Sequence, residues 1–503
     1  MIINILEYLE ATAARTPENP AFIGEDVSFS FRDVYEQARS IGSYLCNQGI
    51  YKAPVAVFMD KHPAMITAFL GVVYAGNYYI PLDNEMSAYR IQLILETAAP
   101  SVVICNTGMK GALAEIGYNG LVCLYEDICH TAVSEASLIS IRECAIDTDP
   151  LYIVFTSGST GTPKGVIASH RAVIDYIENL TEVMDFTSDT VFGNQVPLYV
   201  DACLKEIYPT LKCGAVTHLI PKPLFMFPVR LIEYLNDNGI NTLCWVVSAL
   251  AMISAFGALD TAKPETLKLI AFGSEKFPIK QFNRWRQALP NARFVHLYGP
   301  TEATGMSAYY EANRCFEPDE AIPIGKPFKN TEIILLTDEG TPPPPGEPGE
   351  ICIRGAGLSL GYFNDPEKTR RAFVQNPLSA FPDLIYKTGD IGYVNPCGEL
   401  VFVSRIDHQI KHMGHRIELA EIEGAVTRME GIPMACAVFD EPTSRIILYY
   451  LGDVTAAEVK THCRKWMPRY MIPHACIPLK EMPMTTNGKI DRVGLLNQYR
   501  LKD

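Results

Sequence analysis

The sequence lacks paired cysteines and an excess of positive charge. Its 14 cysteines include no CxxC pair, and 43 Lys and Arg face 57 Asp and Glu, which gives a formal net charge of -14. Scattered cysteines argue against a zinc site and are typical of reduced thiols, so we predict a cytoplasmic protein. The acidic balance argues against a general nucleic-acid or anionic-membrane binder. An anionic ligand must therefore be bound at a local site.

The sequence also shows no leader peptide and no convincing membrane span. Its first ten residues, MIINILEYLE, have no basic segment and carry two glutamates, which argues against a signal peptide. Residues 63–82 carry no charge and are long enough to cross a bilayer. Pro63, however, suits the first position of a helix, and Gly76 with Asn77 suits its end. We expect a buried helix followed by a strand, and no membrane insertion.

Apolar runs alternate with amphipathic stretches over the first part of the chain. Residues 53–59, 101–105, 151–155 and 267–272 are strand-like, and residues 228–238 have helical spacing. Such alternation is typical of layered α/β folds with a largely parallel sheet. At 503 residues the chain is too long for one ordinary domain, and no internal repeat is visible.

The pattern changes after about residue 330, where shorter strands and turns begin. Four consecutive prolines at 342–345 indicate a stiff surface loop, and residues 417–429 are predicted to form a helix. We place a domain boundary near Asp407. The predicted parts are a large N-terminal domain (1–403) with a β-rich subdomain (about 330–403), a hinge (404–408) and a small α+β C-terminal domain (409–503).

The segment YIVFTSGSTGTPKG (152–165) follows an apolar run with ten residues of Thr, Ser, Gly, Pro and Lys. Glycines let backbone N–H groups approach phosphate oxygens, and hydroxyls and a lysine add donors and charge. The spacing is not that of a Walker loop, and Pro163 removes a donor before the lysine. A structural linker has the same composition and stays an alternative for this segment alone. The predicted phosphate-binding residues are Thr156, Ser157, Gly158, Ser159, Thr160 and Lys164.

Four later segments add to this loop, and together the five resemble the core motifs of the AMP-forming adenylate enzymes. That family contains acyl-CoA synthetases, luciferases and nonribosomal-peptide adenylation domains. The order and the separations are similar to the family's, and the resemblance spans nearly the whole chain. The four segments are YGPTEAT (298–304), YKTGD (386–390), SRIDHQIKHMGHRIELAEIE (404–423) and PMTTNGKIDR (483–492).

The resemblance assigns roles to the residues of the YGPTEAT segment. Tyr298 and Gly299 would lie against adenine, Thr301 would meet the α-phosphate, and Glu302 is a hard oxygen ligand suited to Mg²⁺. By themselves, Tyr298 and Gly299 are also compatible with a plain β-turn.

The remaining motifs carry the ribose contact, the catalytic cation and the hinge. The resemblance implies that Asp390 would hold both ribose hydroxyls and that Arg405 would lie near the same ribose. Lys489 would stabilise negative charge on the pentacovalent phosphorus, and the small domain would swing about Asp407. Taken alone, Asp390 is also typical of a turn cap, and Lys489 of a solvated surface lysine.

The resemblance implies a two-step reaction that needs ATP and Mg²⁺. A substrate carboxylate attacks the α-phosphate of ATP in line, which gives acyl-AMP and pyrophosphate, and the acyl group then passes to a thiol. No protein nucleophile is required, so catalysis would consist of positioning and charge stabilisation.

The segment VPLYVDACLKEIYPTL (196–211) resembles the start of the amino-acid pocket of adenylation domains. Asp201 would then pair with a substrate α-ammonium, although an Asp capping the following helix is an alternative. Lys205 is the one charged side chain in the rest of the implied pocket, and it would either neutralise an acidic substrate or extend away from the pocket. The other implied pocket residues are Ala202, Val246, Ala271, Gly273, Leu297, Gly305 and Met306.

The length and the motifs KEIYPTL and IDHQIKHMGHRIELAEIE resemble free-standing amino-acid adenylating enzymes such as D-alanine–carrier protein ligases. D-alanine is therefore our first candidate, with a phosphopantetheinylated carrier protein as acceptor, and an acidic amino acid is next. Two residues depart from that pattern: Gly273 replaces a cysteine, and Lys205 replaces an apolar residue. The rival hypotheses are an acyl- or aryl-CoA ligase and a catalytically silent nucleotide-binding protein.

Three histidines, His408, His412 and His415, have the i, i+4, i+7 spacing that would align metal ligands on a helix. Gly414 interrupts them, and the family folds this segment as a hairpin, so we predict a hairpin without metal. Glu206 and His296 are interpreted as core residues.

Overall fold

A computed structural model describes residues 2–158, 163–407, 409–484 and 490–501 of the chain. Within these residues the first 330 form layered helices and sheets, followed by an antiparallel region and then by a small α+β region. The predicted α/β fold class is confirmed.

Two mainly parallel sheets form the frame of the large region. Their strands, in chain order, are β1 (Pro20–Ile23), β2 (Ser28–Ser30), β3 (Pro54–Phe58), β4 (Tyr78–Leu82), β5 (Val102–Cys105), β6 (Leu121–Leu124), β7 (Pro150–Thr156), β8 (Lys164–Ser169), β9 (Val191–Asn194), β10 (Val216–Leu219), β11 (Thr242–Val246), β12 (Leu269–Gly273), β13 (Arg293–Tyr298), β14 (Ala308–Glu311) and β15 (Lys326–Pro327).

Antiparallel strands extend both edges of the nine-stranded sheet and one edge of the six-stranded sheet. The nine-stranded sheet has the order β15-β14-β13-β12-β11-β9-β10-β1-β2, and the six-stranded sheet has the order β6-β5-β3-β4-β7-β8. In the second sheet β8 pairs antiparallel with β7, whereas the other strands are parallel. All four predicted strands are present, because their apolar residues are buried between helices and need no alternation.

Helices cover these sheets and pack on one another. They are α1 (Leu6–Arg15), α2 (Phe31–Asn47), α3 (Pro63–Tyr74), α4 (Ala88–Ala98), α5 (Lys110–Ile116), α6 (Tyr125–Ile128), α7 (Glu135–Cys144), α8 (His170–Met184), α9 (Leu204–Cys213), α10 (Pro228–Asp237), α11 (Val247–Ala255), α12 (Ala258–Thr261) and α13 (Ile279–Ala288).

The uncharged stretch at 63–82 is a buried helix and a strand, as predicted. Every residue of α3 is buried, Pro63 is its first residue, and β4 follows it after Gly76 and Asn77. Among the described residues, no helix is both long and apolar enough to span a bilayer.

An antiparallel sheet follows the two large sheets, as the shorter strands of the sequence predicted. Its order is β16-β17-β19-β18, with β20 paired to β19. The elements are β16 (Thr331–Leu336), β17 (Gly349–Gly355), α14 (Pro366–Ala372), β18 (Phe373–Gln375), β19 (Leu384–Val394) and β20 (Leu400–Arg405).

The described residues after Arg405 form a hairpin, a three-stranded sheet and three α-helices. The sheet has the order β23-β24-β25. The elements are β21 (Gln409–His412), β22 (His415–Glu418), α15 (Leu419–Val426), β23 (Met434–Asp440), β24 (Arg445–Leu451), α16 (Ala456–Trp466), β25 (Ala475–Leu479) and α17 (Arg492–Arg500).

The hairpin is confirmed, and the helix predicted at 417–429 is shorter than expected. Ile417 and Glu418 belong to β22, where they pair with Ile410 and Gln409. Apolar spacing alone did not show this, because Ile417 is buried in the strand as it would be in a helix.

Two glycines allow α2 and α3 to approach each other closely. A Cβ atom added to Gly71 would lie 2.6 Å from the Cβ of Ile41 and 3.1 Å from the carbonyl oxygen of Ala38. Gly42 on α2 faces Tyr74 of α3 with the same 2.6 Å separation. Any side chain at these positions would push the two helices apart.

We predict opposite effects for the same substitution at two helical glycines. Gly71→Ala should lower the thermal midpoint, because overpacking costs on the order of 1–3 kcal/mol. Gly111→Ala is the matched control: a Cβ there meets no atom within 4 Å, and the helix propensity of alanine adds up to about 1 kcal/mol. Differential scanning fluorimetry checks both, and an unchanged or higher midpoint for Gly71→Ala would contradict the packing described.

Candidate active site

The glycine-rich segment connects two antiparallel strands. Thr156 at the end of β7 pairs with Lys164 at the start of β8. The hydroxyl of Thr156 is buried without a hydrogen-bond partner in the described part of the chain. Ser157 is buried and donates a 2.6 Å hydrogen bond to the carbonyl oxygen of Arg416. Gly158 follows it, and the predicted residues Ser159 and Thr160 lie outside the described residues.

Glu302 lies at the centre of a buried charged cluster. Its Oε1 accepts hydrogen bonds from the Lys164 ammonium at 3.1 Å and the Tyr362 hydroxyl at 2.8 Å. Its Oε2 accepts a 2.6 Å bond from the Arg416 guanidinium. The glutamate side chain is fully buried, and those of Lys164 and Arg416 are 9% and 16% exposed. Three distant segments, β8, the YGPTEAT turn and β22, therefore meet at one carboxylate.

The two cations control the ionisation of this glutamate. Burial alone would raise the pKa of Glu302, but Arg416 and Lys164 hold it well below its usual value. Burial, together with the charge of Arg416, lowers the pKa of Lys164. Two cations facing one carboxylate leave an excess positive charge beside the loop predicted to bind phosphates, which favours an anionic ligand.

Sequence reasoning missed Arg416 and Tyr362 as members of this cluster. Arg416 lies inside the segment SRIDHQIKHMGHRIELAEIE (404–423), but such a motif does not show which residue in a distant part of the chain contacts it. Tyr362 follows Gly361 in a loop with no polar pattern, and only the fold brings its ring within 5.0 Å of the Lys164 ammonium.

Asp390 is the centre of a second polar group. It is 2% exposed, accepts a 2.6 Å hydrogen bond from the Tyr298 hydroxyl and pairs with Arg405. Arg405 also contacts Asp407 at 2.7 and 2.8 Å. Each oxygen of Asp390 is already engaged once, and each keeps a lone pair for a further donor such as a ribose hydroxyl. The Lys411 ammonium lies 5.6 Å from the centre of the Tyr298 ring.

The turn after β13 is tightly folded. A Cβ at Gly299 would lie 2.5 Å from the carbonyl oxygen of Gly305, and Gly305 itself has φ +81 and faces the ring of Tyr176. Both positions therefore require glycine. This turn contains a short 3₁₀ segment, Thr301–Ala303, which positions Glu302 within the charged cluster.

Several predicted pocket residues lie in register on neighbouring parallel strands. Val246 of β11 pairs with Gly273 of β12, which pairs with Leu297 of β13. Paired residues of a sheet share one face, and Ala271 shares it as well, two positions before Gly273. A Cβ at Gly273 would lie 2.4 Å from the carbonyl oxygen of Leu297, so this part of the face carries no side chain.

The other predicted pocket residues lie on two segments facing these strands. Ala202 and Lys205 belong to the 3₁₀ segment Asp201–Cys203 and to α9, and both are buried. Gly305 and Met306 belong to the turn after β13, and Met306 is 7% exposed.

Asp201 does not cap a helix in this structure. The cap positions of the 3₁₀ segment and of α9 are Val200 and Cys203, and neither has a side-chain cap. Burial raises the pKa of Asp201, whereas a hydrogen bond from the Thr301 hydroxyl and the charge of Lys205 lower it. The geometry thus removes the capping alternative and leaves a carboxylate next to the YGPTEAT turn.

The hairpin of the small region reaches the same strands. Gly414 at its tip donates a 2.9 Å hydrogen bond to Glu275, and a Cβ on it would lie 2.5 Å from the Val246 side chain. A 3.0 Å ion pair between Arg90 and Glu421 adds a second contact between the two regions.

The predicted catalytic Lys489 lies outside the described residues, so its position stays a prediction. Its described neighbours Met484 and Ile490 pair with each other. Ile490 packs against the hydrophobic cluster that contains Cys436 and Tyr449, whereas Ile410 of the hairpin packs against the cluster that contains Ala437 and Leu448.

The histidines have structural surroundings. His412 and His415 are the pair that closes the hairpin, and His408 lies outside the described residues. His415 stacks on Tyr470 with ring centres 3.6 Å apart, and burial lowers its pKa to about 3. In the chain as described, no group of three or more His, Cys, Asp or Glu side chains is arranged to hold a metal ion.

Comparison with known proteins gives matches along nearly the whole chain. The family described as AMP-binding enzyme matches residues 9–363. Surfactin synthase subunit 1 of Bacillus subtilis (strain 168) is 31% identical over 500 residues, which are 98% of this chain and 14% of that protein. Zwittermicin A synthase ZmaJ of Bacillus cereus is 30% identical over 503 residues, which are 97% of this chain and 94% of that protein.

The chain spans a small part of several long relatives, 14%, 8% and 9% of the first three. Among solved structures, NpsA-ThdA, an artificially fused adenylation-PCP di-domain NRPS (nonribosomal peptide synthetase) from Klebsiella oxytoca, has a TM-score of 0.81 at 21% identity. That match covers 94% of this chain and 93% of the other. At this identity the likeness shows the fold.

We predict that Arg416→Gln loosens the hairpin while leaving the small sheet intact. Losing one partner of a buried ion pair costs about 3–5 kcal/mol, so backbone amides at 409–418 should exchange hydrogen faster. Exchange in β23 and β24 should not change. Arg464→Gln, on an exposed face of α16, is the matched control and should leave all three segments as they are. Equal exchange of the hairpin in both variants would show that the Glu302 contact does not hold it.

Proposed function

Because the chain belongs to the family of AMP-binding enzymes and is an AMP-forming adenylation ligase of the nonribosomal-peptide type, we propose that its substrate is an amino acid. The enzyme joins the amino-acid carboxylate to AMP and then transfers the aminoacyl group to the phosphopantetheine thiol of a carrier protein.

The carboxylate of Asp201 is the observation that carries the amino-acid assignment. It is half-buried, caps no helix and lies next to Thr301 of the YGPTEAT turn. Removing a carboxylate from water is costly unless a cation pairs with it, and a substrate α-ammonium would offset that cost. An acyl- or aryl-CoA ligase would offer no such cation, which makes that alternative the weaker one.

ATP is proposed to bind between the two polar groups described above. Asp390 accepts the ribose hydroxyls with Arg405 beside it, and the ring of Tyr298 lies against adenine at Gly299. The glycine-rich loop and Lys164 bind phosphate oxygens through N–H groups, hydroxyls and charge. The positive excess around Glu302 supports this placement.

Glu302 is the proposed Mg²⁺ ligand. Mg²⁺ in phosphate-binding enzymes is commonly held by one or two carboxylates together with phosphate oxygens and water, so a single glutamate fits. When bound, the ion would neutralise phosphate charge. Oε2 of Glu302 is occupied by Arg416 in this structure, so binding at that oxygen requires Arg416 to withdraw.

The first chemical step is an in-line displacement. A carboxylate oxygen of the amino acid forms a bond to the α-phosphorus, the bond to the bridging oxygen breaks, and pyrophosphate leaves. Asp201 orients the substrate through its ammonium, and Thr301 meets the α-phosphate. Lys489 stabilises the extra charge on phosphorus, which is the role its motif predicts.

The second step is proposed to use the arrangement described here, with the hairpin against the pocket strands. Movement about Asp407 in the 404–408 hinge would exchange this arrangement for one in which Lys489 reaches the nucleotide. The boundaries 1–403 and 409–503 define the two moving bodies in this proposal.

Two substrates are proposed. D-alanine is favoured by the motif resemblance and by small lining residues such as Ala202, Ala271 and Gly273. An acidic amino acid is favoured by Lys205, which is 1% exposed and so does not extend to solvent.

We predict ATP–pyrophosphate exchange that depends on an amino acid. The panel contains the twenty common amino acids, D-alanine, and several fatty and aryl acids. Asp201→Asn keeps the shape but loses the charge, so the KM for the amino acid should rise by about 100-fold, while the KM for ATP changes little. Exchange restricted to fatty or aryl acids would refute the amino-acid proposal.

We predict that Lys489→Ala abolishes aminoacyl-AMP formation but leaves ATP binding largely intact. The lysine is proposed to act on charge that develops during the displacement, so it contributes little to ground-state binding. Equilibrium binding of ATP and single-turnover adenylation separate the two effects. Lys480→Ala removes an exposed lysine of the same region as a control. Normal adenylation by Lys489→Ala would show that another group stabilises the phosphorus.

A further inference from the structure

Resting on the proposed function, we infer that Lys205 selects an amino acid whose side chain carries a carboxylate. The class is aspartate, glutamate and close analogues, bound with the α-ammonium at Asp201 and the side-chain carboxylate at Lys205.

The side chain of Lys205 is almost fully buried. The residue is 1% exposed and ranks among the largest fully buried side chains. Across the described residues it takes part in no hydrogen bond and no ion pair. The charges of Asp201 and Glu206 act on Lys205 without a direct ion pair. A substrate carboxylate would supply the direct ion pair that this ammonium lacks within the described residues.

Lys205 lies on the pocket side of the structure. It follows Asp201 by four residues, so the two Cβ atoms share one face of the helical segment, about 5–6 Å apart. Its charge also affects the thiol of Cys244 on β11. Cys244 pairs with Ala271 and shares its sheet face with Val246. The lysine therefore lies between Asp201 and the strands that carry the predicted pocket residues.

Glu206, the nearest other acid, already has its own partners. Asn194 donates a hydrogen bond to its Oε2. Burial raises the pKa of Glu206 to about 7 and lowers that of Lys61 to about 8, and each of the two opposes the shift of the other. The Lys61 ammonium is held by the carbonyl oxygens of Asn194 and Gln195 at 3.0 and 3.1 Å. The charges of Lys205 and Lys61 both lower the pKa of Glu206, so this one carboxylate is shared between two lysines.

Charge balance then specifies the substrate. Asp201 is neutralised by the α-ammonium, and the α-carboxylate is consumed in the bond to AMP. A second carboxylate on the substrate would then pair directly with Lys205. A neutral side chain would leave this ammonium without a direct ion pair in the occupied pocket.

The surroundings are polar enough for such a side chain. The hydroxyl of Tyr176 and Oε1 of Glu206 are buried without a partner in the described structure. Tyr176 is 3% exposed, and the charges of Asp201 and Glu206 both act on it. A substrate carboxylate can accept a hydrogen bond from the Tyr176 hydroxyl, which an apolar side chain would leave unsatisfied.

The test compares acids with their amides in ATP–pyrophosphate exchange. Aspartate and glutamate, each as L and D isomer, are assayed against asparagine, glutamine and alanine. We expect kcat/KM for one acid to exceed that for its amide by about 100-fold or more. Lys205→Met should reduce this ratio to a few-fold, and Lys205→Arg should retain part of it. Binding of ATP should be unaffected in both variants.

Lys212→Met is the matched control, because Lys212 is on the same helix but pairs with Glu178 away from the pocket. It should leave the acid-to-amide ratio unchanged. The acid-to-amide ratio of kcat/KM is measured on the wild-type enzyme alone, so the test remains valid even if Lys205→Met does not fold. Exchange by the wild type with neutral amino acids only, or an equal loss on every amino acid in Lys205→Met, would overturn this inference while the proposed function stands. Exchange with no amino acid at all would instead overturn the proposed function.

Discussion

The contact on which the site depends is the carboxylate of Glu302 held between Lys164 and Arg416. It joins the strand after the glycine-rich loop, the turn after β13 and the hairpin of the small region. A buried glutamate between two cations stays ionised, and losing either partner would leave a charge uncompensated at a cost of about 3–5 kcal/mol. The start of β8, the turn after β13 and the hairpin are therefore held in one arrangement by a few short bonds.

The same carboxylate explains why the two proposed steps need different arrangements. A divalent ion bound through Oε2 of Glu302 would have to displace the guanidinium of Arg416, which contacts that oxygen in this structure. In the proposed reaction the hairpin would withdraw while nucleotide and ion are bound and return once pyrophosphate has left. Such an exchange would couple the chemistry to the proposed movement about Asp407.

The sequence predicted those features that depend on local pattern. Buried strands such as Val102–Cys105 and the helix that starts at Pro63 follow from apolar runs and a helix-start residue, and the hairpin at 409–418 follows from its motif. The helix after Glu418 was placed too early, because Ile417 is buried by strand pairing instead. The partner of Arg416 lies 114 residues away. Local pattern carries no information about such a contact. The motif resemblance placed Lys205 in the same pocket as Asp201, but only the fold shows that its side chain is buried and forms no ion pair within the described residues.

The most direct test of this account is the distance between the Arg416 guanidinium and the Glu302 carboxylate in a crystal structure with Mg²⁺ and a non-hydrolysable ATP analogue bound. The account predicts the metal on Glu302 and Arg416 well beyond hydrogen-bonding distance, with the hairpin moved from Val246. A structure with nucleotide and metal bound and Arg416 still at 2.6 Å from Glu302 would contradict it.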